Sequence, residues 1–314
     1  MKVAFVFPGQ GSQSVGMLDP WVNEQGVAAL LQEANEALDD DLSGLIANGP
    51  AEQLNLTVNT QPAMLLAAYV MYRQWLQAGG QVPALMAGHS LGEYTALAAA
   101  GALSLPDALR LVRIRAQAMQ DAVPVGQGAM AAIIGLDDSQ IKDLCAAITT
   151  QSQNGQVVEA VNFNAPGQVV IAGHKAAVEQ ACEQAKELGA RRALLLPVSA
   201  PFHSRLLKPA AQQLQEALAD LAMQSPQCPV INNVDVQSPS EVQAIQDALV
   251  RQAWHPVRWV ETIQAFSDQG VTDVVECGPG RVLSGLVRRI DRNLTVHSFN
   301  DPQTMHTVLD KLKA

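Results

Sequence analysis

Short apolar runs that stop at glycine turns constrain this chain most. Val3–Phe7 (VAFVF) ends at Pro8-Gly9, and Ala84–Ala87 ends at Gly88-His89-Ser90-Leu91-Gly92. Runs of four or five apolar residues have strand length and are too short for helices. The second run turns directly into an alanine-rich stretch, Leu91–Ala100, that reads as a helix. Short strands alternating with helices are buried on both faces, which points to a mainly parallel sheet between helical layers. The spacing predicts further helices over Val22–Leu38 and Thr60–Gln77, the latter with Thr60 as N-cap and Gly79-Gly80 as its stop. Pro106–Asp121 is another, with proline suited to its first turn.

Residues 128–197 follow a different rhythm. Strands are predicted over Ala129–Ile134, Val157–Phe163, Gln168–Ala172 and Arg192–Leu196, and helices over Asp138–Ile148 and Lys175–Leu188. In the second helix Val178, Ala181, Cys182, Ala185 and Leu188 share one face. The order β-α-β-β-α-β is the ferredoxin-like pattern. Helices Ser204–Leu221, Val242–Gln252 and Val260–Gln269 then alternate with strands Val230–Asn232 and Asp273–Glu276. The expected fold is therefore α/β. Residues 1–127 and 198–314 form a large domain with an α/β-hydrolase-like core and a mainly parallel sheet, and 128–197 form an inserted ferredoxin-like subdomain.

Composition narrows the function. Of 314 residues 48% are hydrophobic and 16% charged, enough apolar surface for a core and too much for long disorder. Lys plus Arg number 20 against 30 Asp plus Glu, a net charge of -10. Nucleic-acid binders carry a basic footprint, and anionic membranes attract basic segments, so neither is an expected partner. An anionic ligand would have to meet a local basic patch. Cys145, Cys182, Cys228 and Cys277 form no C-x-x-C pair and read as reduced thiols of a cytoplasmic protein. The longest uncharged apolar stretches, Pro62–Tyr72 and Tyr94–Leu105, are too short to span a bilayer. The N-terminal run is too short for a signal-peptide core.

Gly88-His89-Ser90-Leu91-Gly92 matches G-x-S-x-G in a strand-turn-helix setting, the nucleophile elbow. Its glycines permit a sharp turn, and the helix N-terminus offers free N–H groups to a developing oxyanion. The bland alternative is a turn whose serine only caps the helix. A nucleophilic serine needs a base, usually histidine. His89 is adjacent in sequence, His174 sits at a helix start, and His255, His297 and His306 lie in polar or C-terminal contexts. His203 falls in the loop Ser199-Ala200-Pro201-Phe202-His203-Ser204, after a strand and before a helix, where catalytic groups of α/β folds collect. A capping or solvated histidine remains open for it. The loop Gly9-Gln10-Gly11-Ser12-Gln13 fits neither nucleotide fingerprint. Ser14 replaces the third Rossmann glycine, and Met17-Leu18 stand where a P-loop needs Lys-Ser/Thr.

Seven short motifs in order carry a resemblance over essentially the whole chain. They are Phe7–Gln13 (FPGQGSQ), Gly88–Glu93 (GHSLGE), Arg115–Gln120, Gly128–Ala132 (GAMAA), Val161–Gln168, the His203 segment and Gly278–Leu283. With them the sequence resembles the malonyl-CoA:acyl-carrier-protein transacylases of bacterial fatty-acid synthesis. The resemblance implies Ser90 as nucleophile and His203 as base, with the backbone N–H groups of Gln10 and Leu91 as oxyanion hole. It implies that Arg115 pairs with the malonyl carboxylate and that the main-chain carbonyl of Gln252 orients His203, without a carboxylate partner. From the residues alone Arg115 is not distinguishable from Arg110 or Arg113. Phe202 departs from the serine of many bacterial members, which leaves the acyl range open.

The implied reaction is ping-pong transfer from malonyl-CoA to the phosphopantetheine thiol of acyl carrier protein, by a monomer with no metal or redox cofactor. An acyltransferase of a malonate decarboxylase or polyketide system is the alternative within this chemistry. A serine esterase is the alternative outside it, disfavoured by the insertion and by the lack of a convincing acid after Ser90. Arg191, Arg192, Arg288 and Arg289 are candidates for docking an acidic carrier.

Overall fold

A computed structural model describes residues 1–198 and 200–313. Ser199, the first residue of the His203 segment, lies outside the described residues. The chain runs β1 (Val3–Phe7), α1 (Val27–Leu38), α2 (Leu42–Asn48), α3 (Ala51–Leu54), α4 (Thr57–Gln77), β2 (Leu85–Gly88), α5 (Leu91–Ala99) and α6 (Leu105–Asp121). It continues through β3 (Gly128–Ile134), α7 (Asp138–Gln151), β4 (Val158–Ala165), β5 (Gln168–His174), α8 (Lys175–Glu187) and β6 (Arg192–Leu195). The last part is α9 (Lys208–Ala219), β7 (Val230–Ile231), α10 (Val242–Gln252), α11 (Trp259–Asp268), β8 (Asp273–Cys277), α12 (Val282–Ile290), β9 (Thr295–Phe299) and α13 (Pro302–Lys313).

One sheet is wholly parallel, in the order β7-β2-β1-β8-β9. Its central strands β1 and β2 are apolar throughout because both their faces are covered. Phe5 and Phe7 face α4, where they meet Tyr72 and Trp75 edge-on. Ala4, Val6, Leu85 and Ala87 face the other way, onto Trp259, Ile263 and Phe266 of α11 and Leu283 and Val287 of α12. This period-two division between two cores is what strand geometry imposes on a doubly covered sheet.

The second sheet is antiparallel, in the order β4-β5-β3-β6, which is the ferredoxin-like arrangement expected for this segment. Ala131, Ile133, Val169 and Ile171 pack under α7 and α8. The opposite face carries Met130, Val161, Val170 and Ala172, joined by Leu196, Val198 and Phe202. That face looks toward the parallel-sheet domain. Main-chain bonds between Val161, Phe163 and Val257 tie β4 to the loop before α11.

Several expected boundaries shift for local reasons. The helix predicted over Val22–Leu38 starts at Val27, because Gly26 takes a left-handed conformation with φ 81°. The helix predicted from Thr60 starts at Thr57. Thr60 is therefore inside it, and its hydroxyl bonds back to the carbonyls of Leu54 and Leu56. The helix predicted over Ser204–Leu221 divides into a short 3₁₀ turn, Arg205–Leu207, and α9, whose first turn holds a proline. The sequence reading omits α2 and α3, which are too short to show helical periodicity, and it omits the bounds of α12 and the whole of α13. It also omits β9, whose Thr-Val-His-Ser-Phe lies half exposed at the sheet edge and lacks an apolar run.

Candidate active site

The turn from β2 into α5 is as tight as its glycines suggest. A Cβ on Gly88 would fall 1.8 Å from the carbonyl carbon of Gly92, and one on Gly92 would fall 2.0 Å from the Phe7 carbonyl oxygen. Only glycine lets the helix start this close to the strands. Between them Ser90 adopts φ 53° and ψ −110°, a strained conformation for a residue with a side chain. Asn233, just after β7, staples the turn. Its Oδ1 accepts from the Ser90 N–H at 2.8 Å, and its Nδ2 donates to the Gly88 carbonyl at 2.7 Å.

His203 is buried and also has positive φ, 65°. Its Nε2 lies 2.7 Å from Ser90 Oγ, and its Nδ1 lies 2.8 Å from the main-chain oxygen of Gln252 at the end of α10. A carbonyl can only accept, so Nδ1 carries the proton and Nε2 has its lone pair free for the serine O–H. Burial, with the Arg115 charge second, lowers the His203 pKa to about 3. The ring is thus neutral near pH 7.

The three arginines of α6 separate clearly. Arg110 pairs with Asp107 and Arg113 with Asp40, both at the surface. Arg115 is buried. It donates from NH1 to Gln61 Oε1 at 2.7 Å, and from NH2 to Gln252 Oε1 at 2.9 Å and Ser90 Oγ at 3.1 Å. Its guanidinium also lies 5.1 Å from the Tyr94 ring centroid. Burial pulls its pKa down, yet a guanidinium stays protonated in proteins. Among the described residues no carboxylate forms a salt bridge with it, and its Nε has no partner. A buried cation with a free donor beside a nucleophilic hydroxyl suits a small carboxylate ligand.

Gln10 and Leu91 flank Ser90 on the wall of a cavity of about 250 Å³. Leu91 opens α5, so its N–H has no intrahelical acceptor. The β1 loop crosses the elbow closely: a Cβ on Gly9 would lie 2.6 Å from the His89 oxygen and 3.8 Å from the Leu91 nitrogen. The Gln10 side chain turns away and accepts from Thr57 Oγ1 at 2.8 Å. The cavity runs between the two sheets, with Met130, Val170, Val198 and Phe202 on one side and Leu283 and Leu286 of α12 on the other.

The structure thus brings together all six residues singled out from sequence: Ser90, His203, Gln10, Leu91, Arg115 and Gln252. It also adds residues that the sequence reading did not assign. Gln61 holds the far side of the Arg115 fork, Asn233 braces the elbow, and Glu93 is buried beneath them. Glu93 stands inside the Gly88–Glu93 motif, so its position was visible although its contacts were not. His89, passed over as a base, lines the cavity and bonds Asn164 Oδ1 at 2.7 Å. Among the described residues no group of three or more His, Cys, Asp or Glu is placed to hold a metal ion. Nor is any helix long and apolar enough to cross a membrane.

Comparisons with known proteins agree with this geometry. A family profile described as "Acyl transferase domain" matches residues 4–305. The malonyl CoA-acyl carrier protein transacylase of Escherichia coli (strain K12) is 53% identical over 310 residues, covering 98% of this chain and 99% of that protein. The crystal structure of an acyl-carrier-protein S-malonyltransferase from Burkholderia pseudomallei 1710b is 60% identical, with a TM-score of 0.96 over 99% of this chain and 100% of that one. A malonyl-transacylase in complex with a type II PKS acyl-carrier protein is 48% identical, with a TM-score of 0.96 over 99% of this chain and 100% of that one. With a profile match over nearly its whole length and close relatives of one kind, the chain belongs to the acyl transferase family, among the malonyl CoA-acyl carrier protein transacylases.

Proposed function

We propose that this protein transfers a malonyl group from malonyl-CoA to the phosphopantetheine thiol of an acyl carrier protein, through an acyl-enzyme on Ser90. The observation that carries the reading is the continuous line Arg115–Ser90–His203–Gln252, in which one hydroxyl meets both a neutral imidazole and a guanidinium that has no carboxylate partner among the described residues.

In the first half-reaction the malonyl carboxylate takes the Arg115 fork, which a lysine could not match bidentately. Ser90 Oγ attacks the thioester carbonyl as its proton passes to His203 Nε2. The Gln10 and Leu91 amides hold the tetrahedral oxyanion. When it collapses the C–S bond breaks, and His203 returns its proton to the departing CoA sulfur. A thiol with a pKa of about 8.5 leaves with little assistance, so a carboxylate behind the histidine is dispensable. In the second half-reaction the carrier thiol gives its proton to His203 and attacks the malonyl ester. Ser90 leaves and takes that proton back.

The cleft between the large domain, 1–127 with 198–314, and the subdomain, 128–197, admits the pantetheine arm. Its apolar walls suit such an arm and keep bulk water from the ester. We place the activity in the cytoplasm, where both thiol carriers would be found. Initial rates with malonyl-CoA and carrier protein varied together test the reading. Parallel double-reciprocal lines support it, and intersecting lines oppose it. Running fatty-acid and polyketide carriers side by side identifies the acceptor, because one structural relative was captured with a polyketide carrier.

A further inference from the structure

Glu93 takes no part in the steps above, yet it is buried directly beneath them at 2% exposure. One carboxylate oxygen, Oε2, accepts two hydrogen bonds, from the Asn233 main-chain N–H at 2.9 Å and from Gln252 Nε2 at 3.0 Å. Each donor leads to a different part of the site.

The Gln252 amide has one donating and one accepting end. Its Nε2 faces two groups that only accept, Glu93 Oε2 and the Ser90 carbonyl at 2.9 Å. Its Oε1 therefore faces the Arg115 NH2 group, which only donates. Rotating the amide by half a turn would set oxygen against oxygen and N–H against N–H. Glu93 thus helps select the rotamer that aims Arg115 at Ser90. The second donor belongs to Asn233, whose side chain pins both sides of the elbow. Glu93 itself is the third residue of α5, so the helix that begins at the nucleophile also carries the group that braces it. It makes no direct ion pair with Arg115. The guanidinium is thereby left, among the described residues, without a carboxylate counter-ion.

We infer that Glu93 is a positioning residue whose Oε2 fixes Arg115 through Gln252 and Ser90 through Asn233, and so sets the preference for a carboxylated acyl group. This rests on the malonyl-transfer reading. A glutamine at 93 can place its carbonyl oxygen where Oε2 lies and keep both hydrogen bonds without the charge. An aspartate keeps the charge but is one methylene too short to reach both donors. An alanine loses both bonds.

The test is the ratio of kcat/KM for Ser90 acylation by malonyl-CoA over acetyl-CoA, a ratio that does not depend on the active fraction. Glu93→Asp and Glu93→Ala should lower it about tenfold or more, the loss expected when one charged hydrogen bond is misaligned. Glu93→Gln should restore it to near the wild-type value. If Glu93→Ala does not fold, Glu93→Asp carries the test alone. An unchanged ratio in Glu93→Asp would overturn the inference. So would a Glu93→Gln enzyme as impaired as Glu93→Asp, because an acceptor placed where Oε2 lies would then not suffice. Wild-type enzyme run in parallel separates the two levels: failure of malonyl-CoA to acylate it refutes the activity, whereas unchanged ratios beside an active wild type refute only the role of Glu93.

Discussion

Replacing Arg115 by alanine probes substrate choice most sharply. Malonyl differs from acetyl by one carboxylate, and burying that charge without a partner is costly. A charged hydrogen bond contributes about 1.5–3 kcal/mol, or roughly 10–100-fold in rate. Breaking a fully buried pair can cost about 3–5 kcal/mol. With Arg115 only 2% exposed, the loss for malonyl should lie toward the upper part of this range. The substitution also strips the donors from Gln61 Oε1 and Gln252 Oε1, and each buried orphan costs about 1–3 kcal/mol of stability. Absolute rates would mix these effects, so the ratio of malonyl to acetyl acylation is the quantity to follow, with circular dichroism to confirm folding. Acetyl transfer should hold steady or rise. The Arg115 charge is the second cause, after burial, of the low His203 pKa, so its removal makes His203 a stronger base. A mutant with the wild-type ratio would refute the assignment and leave Arg115 a structural residue.

Further outcomes follow from the same geometry. Burial pushes the Glu93 carboxyl from 4.5 up to about 7, against the opposing influence of Gln252, Asn233 and Arg115 and with a small push from Asp235. Between these values the folded state binds more protons than the unfolded one, so stability falls as pH rises, by roughly 3 kcal/mol in all. His203 is shifted the other way, from 6.5 to about 3, so its contribution rises with pH over that interval by roughly 5 kcal/mol. The two slopes oppose each other from pH 4.5 to 6.5. Urea midpoints should therefore gain a rising slope with pH in Glu93→Gln and a falling one in His203→Ala, and wild-type slopes in both would contradict the assignment. Arg288 and Arg289 lie exposed on α12, whose other face lines the cleft, and among the described residues neither pairs with a carboxylate. Changing both to glutamate should raise KM for the carrier protein but leave KM for free pantetheine near wild type, and equal effects on both acceptors would count against docking there.

The parts of the fold with strong local signals were legible. The apolar run of β1, the strand β8 and the six-element rhythm of residues 128–195 appear close to their predicted bounds, because all are driven by burial that the sequence displays. The short helices α2 and α3 and the half-exposed strand β9 bury too few residues to leave such a pattern. In the site, Ser90 could be read from its turn, since glycines at 88 and 92 are needed for close approach. His203 could be narrowed to a loop but not paired with Ser90, because 113 positions separate them and only the tertiary fold joins them. Arg115, Arg110 and Arg113 share one helix and one chemistry. Burial alone tells them apart, and burial depends on α4, α5 and α9 packing against α6. Gln61 and Asn233 are polar residues in otherwise ordinary segments, and their roles emerge only from their contacts.

The central claim, a malonyl ester on Ser90, is tested most directly by intact mass and peptide mapping after brief mixing with malonyl-CoA. Wild-type protein should gain one malonyl-sized adduct on the Ser90 peptide, and addition of carrier protein should remove it. In His203→Ala the same adduct should form about 10²–10⁴-fold more slowly, the usual share of general-base catalysis. Ser90→Ala should form none. An adduct appearing in Ser90→Ala at the wild-type rate, or mapping to another residue in the wild type, would contradict the account.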